Sequence, residues 1–364
     1  MWRSLPTNPV RIEKPVLAGL LAEDLAELLA AYPSFRSRQI HQWICNGAGT
    51  FDEMTSLPVP LRKELTGMYK LFSTAAASQL SDTDGTVKLG IALEDGAFIE
   101  AVVLSDAEGR KTACLSTQAG CAAACVFCKT GTLGLKRNLS AAEITGQFLH
   151  LKKRAPAISH IVIMGMGEPL LNLEELRKAL SFFMEDGGLN ISKRRITLST
   201  CGIEAGLTDF ADRGPDIRLA LSLTTAQEEL RQRLMPISRH NPLPCIKEAL
   251  RYYQKKRNRR ITLELVLLGG INTGIADAQA AADFSAGLDV VINLIPWNPV
   301  AGLEFEGRPL RPPTPRETAG FAAALESRGL NVTRRFRKGS GIAGACGQLG
   351  TLQKPAPTEK TAKG

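Results

Sequence analysis

The sequence predicts an α/β protein built around a parallel sheet that is either open or curled into a partial barrel. From about residue 110, strand-like and helical segments alternate as six successive βα units. Parallel strands need a crossover between them, which a helix usually provides, so this series indicates a parallel sheet. The strand candidates are residues 111–116, 159–164, 195–199, 217–223, 260–267 and 289–295, with a seventh at 331–336 that could close an edge.

Two other kinds of segment precede this series. Amphipathic patterns over residues 18–32, 35–46 and 58–70 predict a small helical module within the first 75 residues. Residues 86–104 alternate apolar and polar positions around Asp95-Gly96, which predicts a β-hairpin. Ser140 and Glu143 form the pattern of a capping box, which predicts a helix start.

The predicted organisation therefore has five parts. We expect a helical accessory domain over residues 1–75, a hairpin extension over 76–109, the partial barrel over 110–340, a loop carrying Cys346 over 341–352, and a disordered tail over 353–364.

Composition narrows the class of protein. The 364 residues are 44% hydrophobic and 22% charged, which is typical of a globular chain with a sizeable core. The sequence has no long apolar run and no secretion-signal pattern at its start, so we expect a cytoplasmic protein without membrane spans. The net charge of +9 modestly favours a polyanionic partner. Eight cysteines in such a chain indicate thiols, metal ligands or catalytic groups rather than a disulfide scaffold.

Three cysteines lie in one short loop directly after the first predicted strand. Cys121, Cys125 and Cys128 are spaced C-x3-C-x2-C, whereas structural zinc sites and common iron–sulfur clusters usually take four protein ligands. One interpretation is a zinc site completed by His150 or Cys201. The other is a 4Fe–4S cluster whose fourth iron stays open for a small ligand. The spacing, the position after a first strand and the βα series favour the cluster.

Polar and glycine-rich segments come directly after several of the other strands. They read "GMGEP" (165–169), "STCG" (199–202), "SLTT" (222–225) and "PWNP" (296–299). The carboxyl ends of parallel strands lie at one edge of the sheet, and α/β proteins place their chemistry in the loops there. We therefore expect these segments to converge with the cysteine loop on one cavity.

The cysteine loop resembles the signature of radical S-adenosylmethionine (SAM) enzymes, in which the amino and carboxylate groups of SAM chelate the fourth iron. More specifically, "CLSTQAGCAAACVFCKTG", "MGMGEPLLN", "SKRRITLSTCG", "LMPI", "INLIPWNP" and "ACGQL" together resemble the RlmN family of adenosine C2 methyltransferases. The likeness extends to "FRSRQIHQWI" and "FDEMTSLP" near the N-terminus.

This resemblance implies a partial (β/α)6 radical SAM barrel that carries one 4Fe–4S cluster on Cys121, Cys125 and Cys128. It also implies contacts to SAM from the strand-end segments. The implied SAM-binding residues are Gly167, Glu168, Ser199, Ser222, Leu223, Thr224 and Asn298.

The resemblance further implies how a methyl group reaches C2 of adenine, an electron-poor carbon. A first SAM methylates Cys346, and a second SAM yields a 5′-deoxyadenosyl radical that abstracts hydrogen from that methyl group. The carbon radical adds to the base, Glu100 accepts the C2 proton, and Cys114 attacks Cys346 to release the product with formation of a disulfide. By residue type alone, both cysteines could instead be buried apolar groups, and Glu100 a solvated side chain.

The implied substrates are an adenosine in the peptidyl-transferase region of 23S rRNA and an adenosine in the tRNA anticodon loop. The family also implies a reducing electron donor such as flavodoxin, and since nothing in the sequence signals an oligomer we expect a monomer. Basic residues that could contact RNA phosphates lie in several runs, including residues 255–260. The candidates are Arg36, Lys193, Arg194, Arg195 and Arg335.

Three residues depart from the family pattern. Lys129 replaces a small residue, Cys201 stands where a smaller or apolar residue is usual, and Thr224 stands where a histidine is usual. Two alternative functions also stay open: a Cfr-like adenosine C8 methyltransferase and an RNA-binding protein with a structural zinc. The segments "GEPLLN" and "PWNP" favour the RlmN pattern over Cfr.

Overall fold

A computed structural model describes residues 14–106, 108–334 and 338–352. Its strands and helices alternate over most of the chain. The strands are β1 (Thr74–Ser81), β2 (Val87–Leu93), β3 (Phe98–Ser105), β4 (Lys111–Cys114), β5 (Gln118–Gly120), β6 (Leu135–Asn138), β7 (Ile158–Ile163), β8 (Ile196–Thr200), β9 (Arg218–Ser222), β10 (Ile261–Leu267), β11 (Val290–Pro296), β12 (Glu304–Phe305), β13 (Arg308–Pro309) and β14 (Val332–Arg334). The α-helices are α1 (Ala22–Leu28), α2 (Ser34–Cys45), α3 (Val59–Met68), α4 (Ala141–Arg154), α5 (Leu173–Met184), α6 (Glu204–Arg213), α7 (Glu228–Leu234), α8 (Leu243–Arg257), α9 (Ile275–Ser285) and α10 (Pro315–Glu326).

Ten strands form one open sheet in the order β1-β2-β3-β4-β7-β8-β9-β10-β11-β14. The last seven of these, from β4 onwards, run parallel to one another. Between successive parallel strands lies at least one helix, so the predicted α/β class with a parallel sheet is confirmed. The seventh strand, β14, pairs with β11 at the edge, although residues 335 and 336 of that predicted strand lie outside the described residues.

The core lies between this sheet and its helices. The strands are rich in β-branched and leucine residues, and Ile161, Leu198, Leu219, Leu263 and Ile292 are all inaccessible or nearly so. Such side chains suit strands that are buried on both faces, as parallel strands usually are.

The antiparallel part of the sheet is larger than the sequence predicts. The hairpin around Asp95-Gly96 is confirmed as β2 and β3, and Gly96 adopts the positive φ of 83° that the turn requires. The preceding segment 74–81 is an additional strand, β1, which pairs with β2. Because β3 pairs with β4, this three-stranded meander is continuous with the parallel sheet rather than a separate extension.

The N-terminal helices form; the first and third are shorter than predicted, and the second has the predicted length but begins one residue earlier. The first begins at Ala22 rather than residue 18, because Gly19 occupies a turn with φ of 93°. The capping box of α4 is confirmed: Ser140 Oγ accepts a hydrogen bond from Glu143 N, and Glu143 Oε2 accepts one from Ser140 N. Within the described residues, no helix has the length and apolarity needed to cross a bilayer.

Candidate active site

A cavity opens at the carboxyl ends of the parallel strands and brings the predicted site segments together. All three cysteines of the 120–131 loop line it, as does Cys346 from the C-terminal loop, which we define as residues 338–352. The predicted SAM-binding residues in its wall are Gly167, Glu168, Ser199, Ser222, Thr224 and Asn298. Leu223 is the exception, because its side chain is buried in the main core.

Glycines fix the path of the cysteine loop. Gly120 has φ of 83°, and a Cβ atom there would lie 1.8 Å from the carbonyl oxygen of Gly134. A Cβ on Gly131 would lie 2.6 Å from the carbonyl oxygen of Cys125. Neither position has room for a side chain, so the loop folds tightly enough to direct its three thiols into one cavity.

The surroundings of the three thiols suit a bound metal cluster. Phe127, Leu234 and Trp297 pack around the loop in an apolar cluster. Burial raises the pKa of Cys121 to about 12, and it also raises the pKa values of Cys125 and Cys128. Such thiols stay neutral in a dry pocket and become thiolates when a metal binds.

A backbone donor points at one of these sulfur atoms, because Ala123 N donates to Cys121 Sγ at 3.4 Å. Hydrogen bonds of this kind tune iron–sulfur clusters. Among the described residues, no three His, Cys, Asp or Glu side chains are placed to hold a metal ion between them. His150, one of the two candidates for a fourth zinc ligand, instead lies 3.0 Å from Thr74 Oγ1 and is not part of the cavity wall.

Glu168 links two of the strand ends beneath the cavity. Its carboxylate accepts hydrogen bonds from Leu170 N, from Thr200 Oγ1 at 2.6 Å and from Cys201 N at 2.8 Å. Burial raises the pKa of this carboxyl group, while the hydrogen bonds oppose the rise. Gly167, with φ of 106°, leaves no space for a Cβ atom beside Gln118. The segment after β7 is therefore held rigidly against the end of β8.

A hydroxyl–carboxylate network runs along the next strand ends. Ser199 Oγ donates to Glu264 Oε2 at 2.9 Å and lies 3.1 Å from Ser222 Oγ. Thr224 is almost fully buried with φ of 59°, and its hydroxyl has no hydrogen-bond partner among the described residues. The Oδ1 atom of Asn298 is likewise buried without a described partner. Two buried polar atoms in one cavity wall are suited to a polar ligand.

Arg231, which no sequence motif marks as a site residue, braces this cavity from below. The side chain is fully buried and donates to the carbonyl oxygens of Cys201 at 2.5 Å, Ser222 at 3.2 Å and Leu223. Burial lowers the pKa of this guanidinium. In the sequence it is one arginine among several on the short helix α7, and only the fold shows that it lies inward.

A second, smaller cavity adjoins the first and contains both Cys114 and Cys346. Met164, Ile295 and Asn298 line both cavities. All eight cysteines of the chain lie within the described residues, and none of them forms a disulfide. The two predicted catalytic thiols therefore share a pocket next to the cysteine loop.

The C-terminal loop is attached to the barrel at Cys346 and at the residues just after it. Asn298 Nδ2 donates to the Cys346 carbonyl at 3.0 Å. Lys129 N donates to the Gly347 carbonyl at 2.8 Å, and Thr130 Oγ1 donates to the Leu349 carbonyl at 2.7 Å. These contacts join the loop of Cys346 directly to the loop that carries the other three cysteines.

Glu100 lies outside both cavity walls and is not a solvated group. It is 1% exposed, and its Oε2 atom lies 3.3 Å from Nζ of the fully buried Lys88. Its Oε1 atom accepts a hydrogen bond from Leu352 N at 2.6 Å. Since Ser116 Oγ donates to the Glu100 carbonyl, this strand position also adjoins the start of the cysteine loop.

Most of the basic residues predicted to contact RNA do not line either cavity. Lys193, Arg194 and Arg195 form a 3-10 turn before β8, at the edge of the sheet opposite the cavity. In the 255–260 run, Lys256, Arg259 and Arg260 pair with aspartates at the same opposite edge. Arg36 lies on α2 and contacts Gln39 and Phe35, while Arg335 falls outside the described residues. Lys338, three residues after Arg335 in the sequence, lines the Cys114–Cys346 cavity.

Comparison with known proteins is consistent with this geometry. Residues 115–278 match the radical SAM superfamily. A probable dual-specificity RNA methyltransferase RlmN from Treponema pallidum (strain Nichols) is 47% identical over 92% of this chain and 97% of its own length. The protein of the same description from Treponema denticola is 48% identical over 93% and 96%. The crystal structure of a radical SAM methyltransferase from Sphaerobacter thermophilus superposes with a TM-score of 0.87 and 36% identity, covering 92% of this chain and 99% of that one.

Proposed function

The chain belongs to the RlmN family of radical SAM RNA methyltransferases, and we propose that it methylates C2 of adenosine in 23S rRNA and in tRNA. The observation that carries this proposal is the common cavity of Cys114 and Cys346, which adjoins the cavity lined by Cys121, Cys125 and Cys128. Transfer by way of a methylated cysteine needs one thiol to carry the carbon and a second thiol to release it.

The proposed cofactors are one 4Fe–4S cluster and SAM. Cys121, Cys125 and Cys128 would hold the cluster, since one short loop brings their thiols to the same cavity beside an apolar cluster of side chains. When bound, such a cluster supplies the electron that cleaves SAM reductively. A reducing protein such as flavodoxin would deliver that electron.

SAM would lie against the strand ends in the same cavity. Its polar groups would meet the unpartnered Thr224 hydroxyl and Asn298 Oδ1, and the hydroxyls of Ser199 and Ser222. Gly167 lines the same cavity, and its missing side chain allows the segment to pack against Gln118. Glu168 would act mainly by fixing these segments, because three donors already occupy its carboxylate.

The two catalytic thiols would act in sequence. Cys346 would carry the methyl-derived carbon, and addition of this carbon radical to C2 would give a radical adduct with the adenine. The adduct would lose the C2 proton to a base and one electron to an external one-electron acceptor, which leaves a closed-shell thioether between Cys346 and the adenine. The thiolate of Cys114 would then attack the Cys346 sulfur, so that an S–S bond forms as the C–S bond breaks. The electron pair of the broken bond stays with the carbon, which takes up a proton to become the methyl group. An external thiol reductant would restore both cysteines.

Glu100 is the proposed acceptor of the adenine C2 proton. Its position on β3, beside the start of the cysteine loop, is compatible with this role. Leu352 N covers one carboxylate oxygen, and Lys88 neighbours the other. The adenine would therefore reach Glu100 only after the C-terminal loop has shifted at Leu352. The target adenosine must also be unstacked to enter such a recessed site.

An anaerobic assay tests the proposed function. Protein with a reconstituted cluster, SAM and a reductant is incubated with 23S rRNA or tRNA that lacks the modification, and the digested nucleosides are compared with C2- and C8-methyladenosine standards. We expect C2-methyladenosine, and none from the Cys346→Ala variant. C8-methyladenosine would instead establish the Cfr-like activity, and SAM cleavage without either product would exclude these RNAs as substrates.

A further inference from the structure

Lys88 is a buried lysine to which neither the sequence pattern nor the proposed mechanism assigns a role. It lies on β2, is inaccessible to solvent, and occupies the centre of a contact between the antiparallel meander and the C-terminal loop. In the sheet register Lys88 pairs with Val102 and Gly90 pairs with Glu100, so Lys88 and Glu100 are diagonal neighbours on one face. A buried ammonium needs acceptors for all its protons, and their identity indicates its role.

Both hydrogen-bond acceptors of Lys88 belong to the C-terminal loop. Lys88 Nζ donates to the Ala343 carbonyl at 3.0 Å and to Thr351 Oγ1 at 3.0 Å, and it forms an ion pair with Glu100 Oε2 at 3.3 Å. Two of the three ammonium protons therefore go to the loop, and the charge is balanced by Glu100. Ala343 and Thr351 lie on either side of Cys346 in the sequence. One cation therefore closes the base of the loop that carries the predicted methyl-accepting thiol.

Other groups of the meander reinforce the same attachment. Glu100 Oε1 accepts from Leu352 N at 2.6 Å. In the turn between β1 and β2, Asp84 accepts from Gly339 N at 2.8 Å and Asp82 accepts from Gly341 N at 3.0 Å. The hydrogen bonds to the barrel side that the described residues form are at the middle of the loop, at Cys346, Gly347, Gln348 and Leu349. Thus the meander holds the ends of the loop, and the barrel holds its centre.

We propose that Lys88 is a positioning residue that clamps the two ends of the C-terminal loop and thereby places Cys346 at the junction of the two cavities. The clamp itself is a property of the fold, whereas its effect on methyl transfer rests on the proposed function. In the competing explanation Lys88 only neutralises Glu100. The two explanations predict different behaviour of the loop when both charges are removed together.

The test compares four variants with the wild-type holoenzyme. Lys88→Met removes the clamp and leaves Glu100 unpaired, whereas Lys88→Met/Glu100→Gln removes the clamp without leaving a buried charge. Thr351→Val removes one clamp contact and leaves the ion pair intact. Lys70→Met is the matched control. Lys70 lies just before β1 and forms a surface ion pair with Glu94, in the turn between β2 and β3.

The first readouts need no RNA. They are hydrogen exchange of the peptide spanning residues 338–352 and the alkylation rate of Cys346, resolved by mass spectrometry. We expect both rates to rise by about tenfold or more in Lys88→Met and in the double variant, because local opening becomes easier. Thr351→Val should give a smaller rise in the same direction, and Lys70→Met none. Wild-type rates in the double variant would overturn the clamp and leave charge neutralisation as the only role.

A second readout separates positioning from general destabilisation. A displaced Cys346 should uncouple the reaction, so that more 5′-deoxyadenosine forms per methyladenosine in Lys88→Met, and to a smaller extent in Thr351→Val, than in the wild type. Both of these variants keep Glu100, the proposed proton acceptor. An unchanged ratio would overturn the positioning role.

If the wild type makes no methyladenosine while the exchange results hold, the proposed function fails and the clamp stands. If the wild type is active and exchange in the double variant is unaltered, the clamp fails and the function stands.

Discussion

Cys114, the last residue of β4, and Cys346, in the C-terminal loop, line one cavity although they come from opposite ends of the barrel sequence. Their position in one cavity depends on the meander and on the hydrogen bonds around residues 343–352, which fold the end of the chain back over the carboxyl ends of the strands. Two thiols that share a cavity without forming a disulfide suit a transient catalytic disulfide better than a structural one.

The first prediction concerns iron. Cys128→Ala should abolish retention of iron and the brown colour of the anaerobically reconstituted protein, because the remaining two thiols cannot hold a 4Fe–4S cluster. Cys245→Ala is the matched control, since Cys245 lines a separate open groove beside α8. Iron analysis and the visible spectrum provide the measurement. Equal iron content in both variants would exclude Cys128 as a ligand.

The second prediction concerns Arg231. Arg231→Leu should lower the free energy of unfolding by about 3–5 kcal/mol, because carbonyl groups at the ends of β8 and β9 lose their buried donor. Arg233→Leu, on the same helix, removes an exposed arginine paired with Glu306 and should cost less than about 1 kcal/mol. Denaturant unfolding of the two variants gives the comparison. Losses of similar size would show that Arg231 does not brace the strand ends.

The third prediction concerns Thr224, where the family pattern has a histidine. Thr224→Val keeps the β-branched shape at the same strained φ but removes the buried, unpartnered hydroxyl. We expect the SAM-free protein to gain about 1 kcal/mol of stability and SAM binding to weaken roughly fivefold, as one hydrogen bond is lost. Thermal unfolding and a SAM titration measure the two effects. A variant that binds SAM normally would place the hydroxyl outside the contact.

The fold was predictable where local sequence determines it. Alternating βα units, the Asp95-Gly96 turn and the Ser140–Glu143 capping box all have short-range signals, and each occurs as predicted. Strand β1 was missed because "TAAASQLS" contains little of the β-branched and aromatic character that marks strands. It is a strand because β2 offers it a partner, which is a tertiary effect.

The site was predictable to a similar extent. Residues that come directly after strands converge on one cavity because parallel strands end at one edge. The ion pair of Lys88 with Glu100 and the inward Arg231 depend on sheet register and on helix placement, so local sequence patterns carry no signal for them. The runs of basic residues are the opposite case: they carry a clear local signal for RNA contact, but the structure pairs several of them with acidic residues away from the cavity. The 255–260 run pairs largely with aspartates on the far edge of the sheet.

The most direct test of the two-thiol mechanism uses the Cys114→Ala variant. Without the resolving thiol, the adduct between Cys346 and the adenine cannot be released, so RNA should remain covalently attached to the protein. The variant is incubated anaerobically with SAM, reductant and 23S rRNA, digested with nuclease and protease, and analysed by mass spectrometry. We predict an adenosine joined through one carbon to the peptide containing Cys346, with none in Cys114→Ala/Cys346→Ala. Normal release of methyladenosine by Cys114→Ala, or an adduct on another residue, would contradict the roles assigned to these two cysteines.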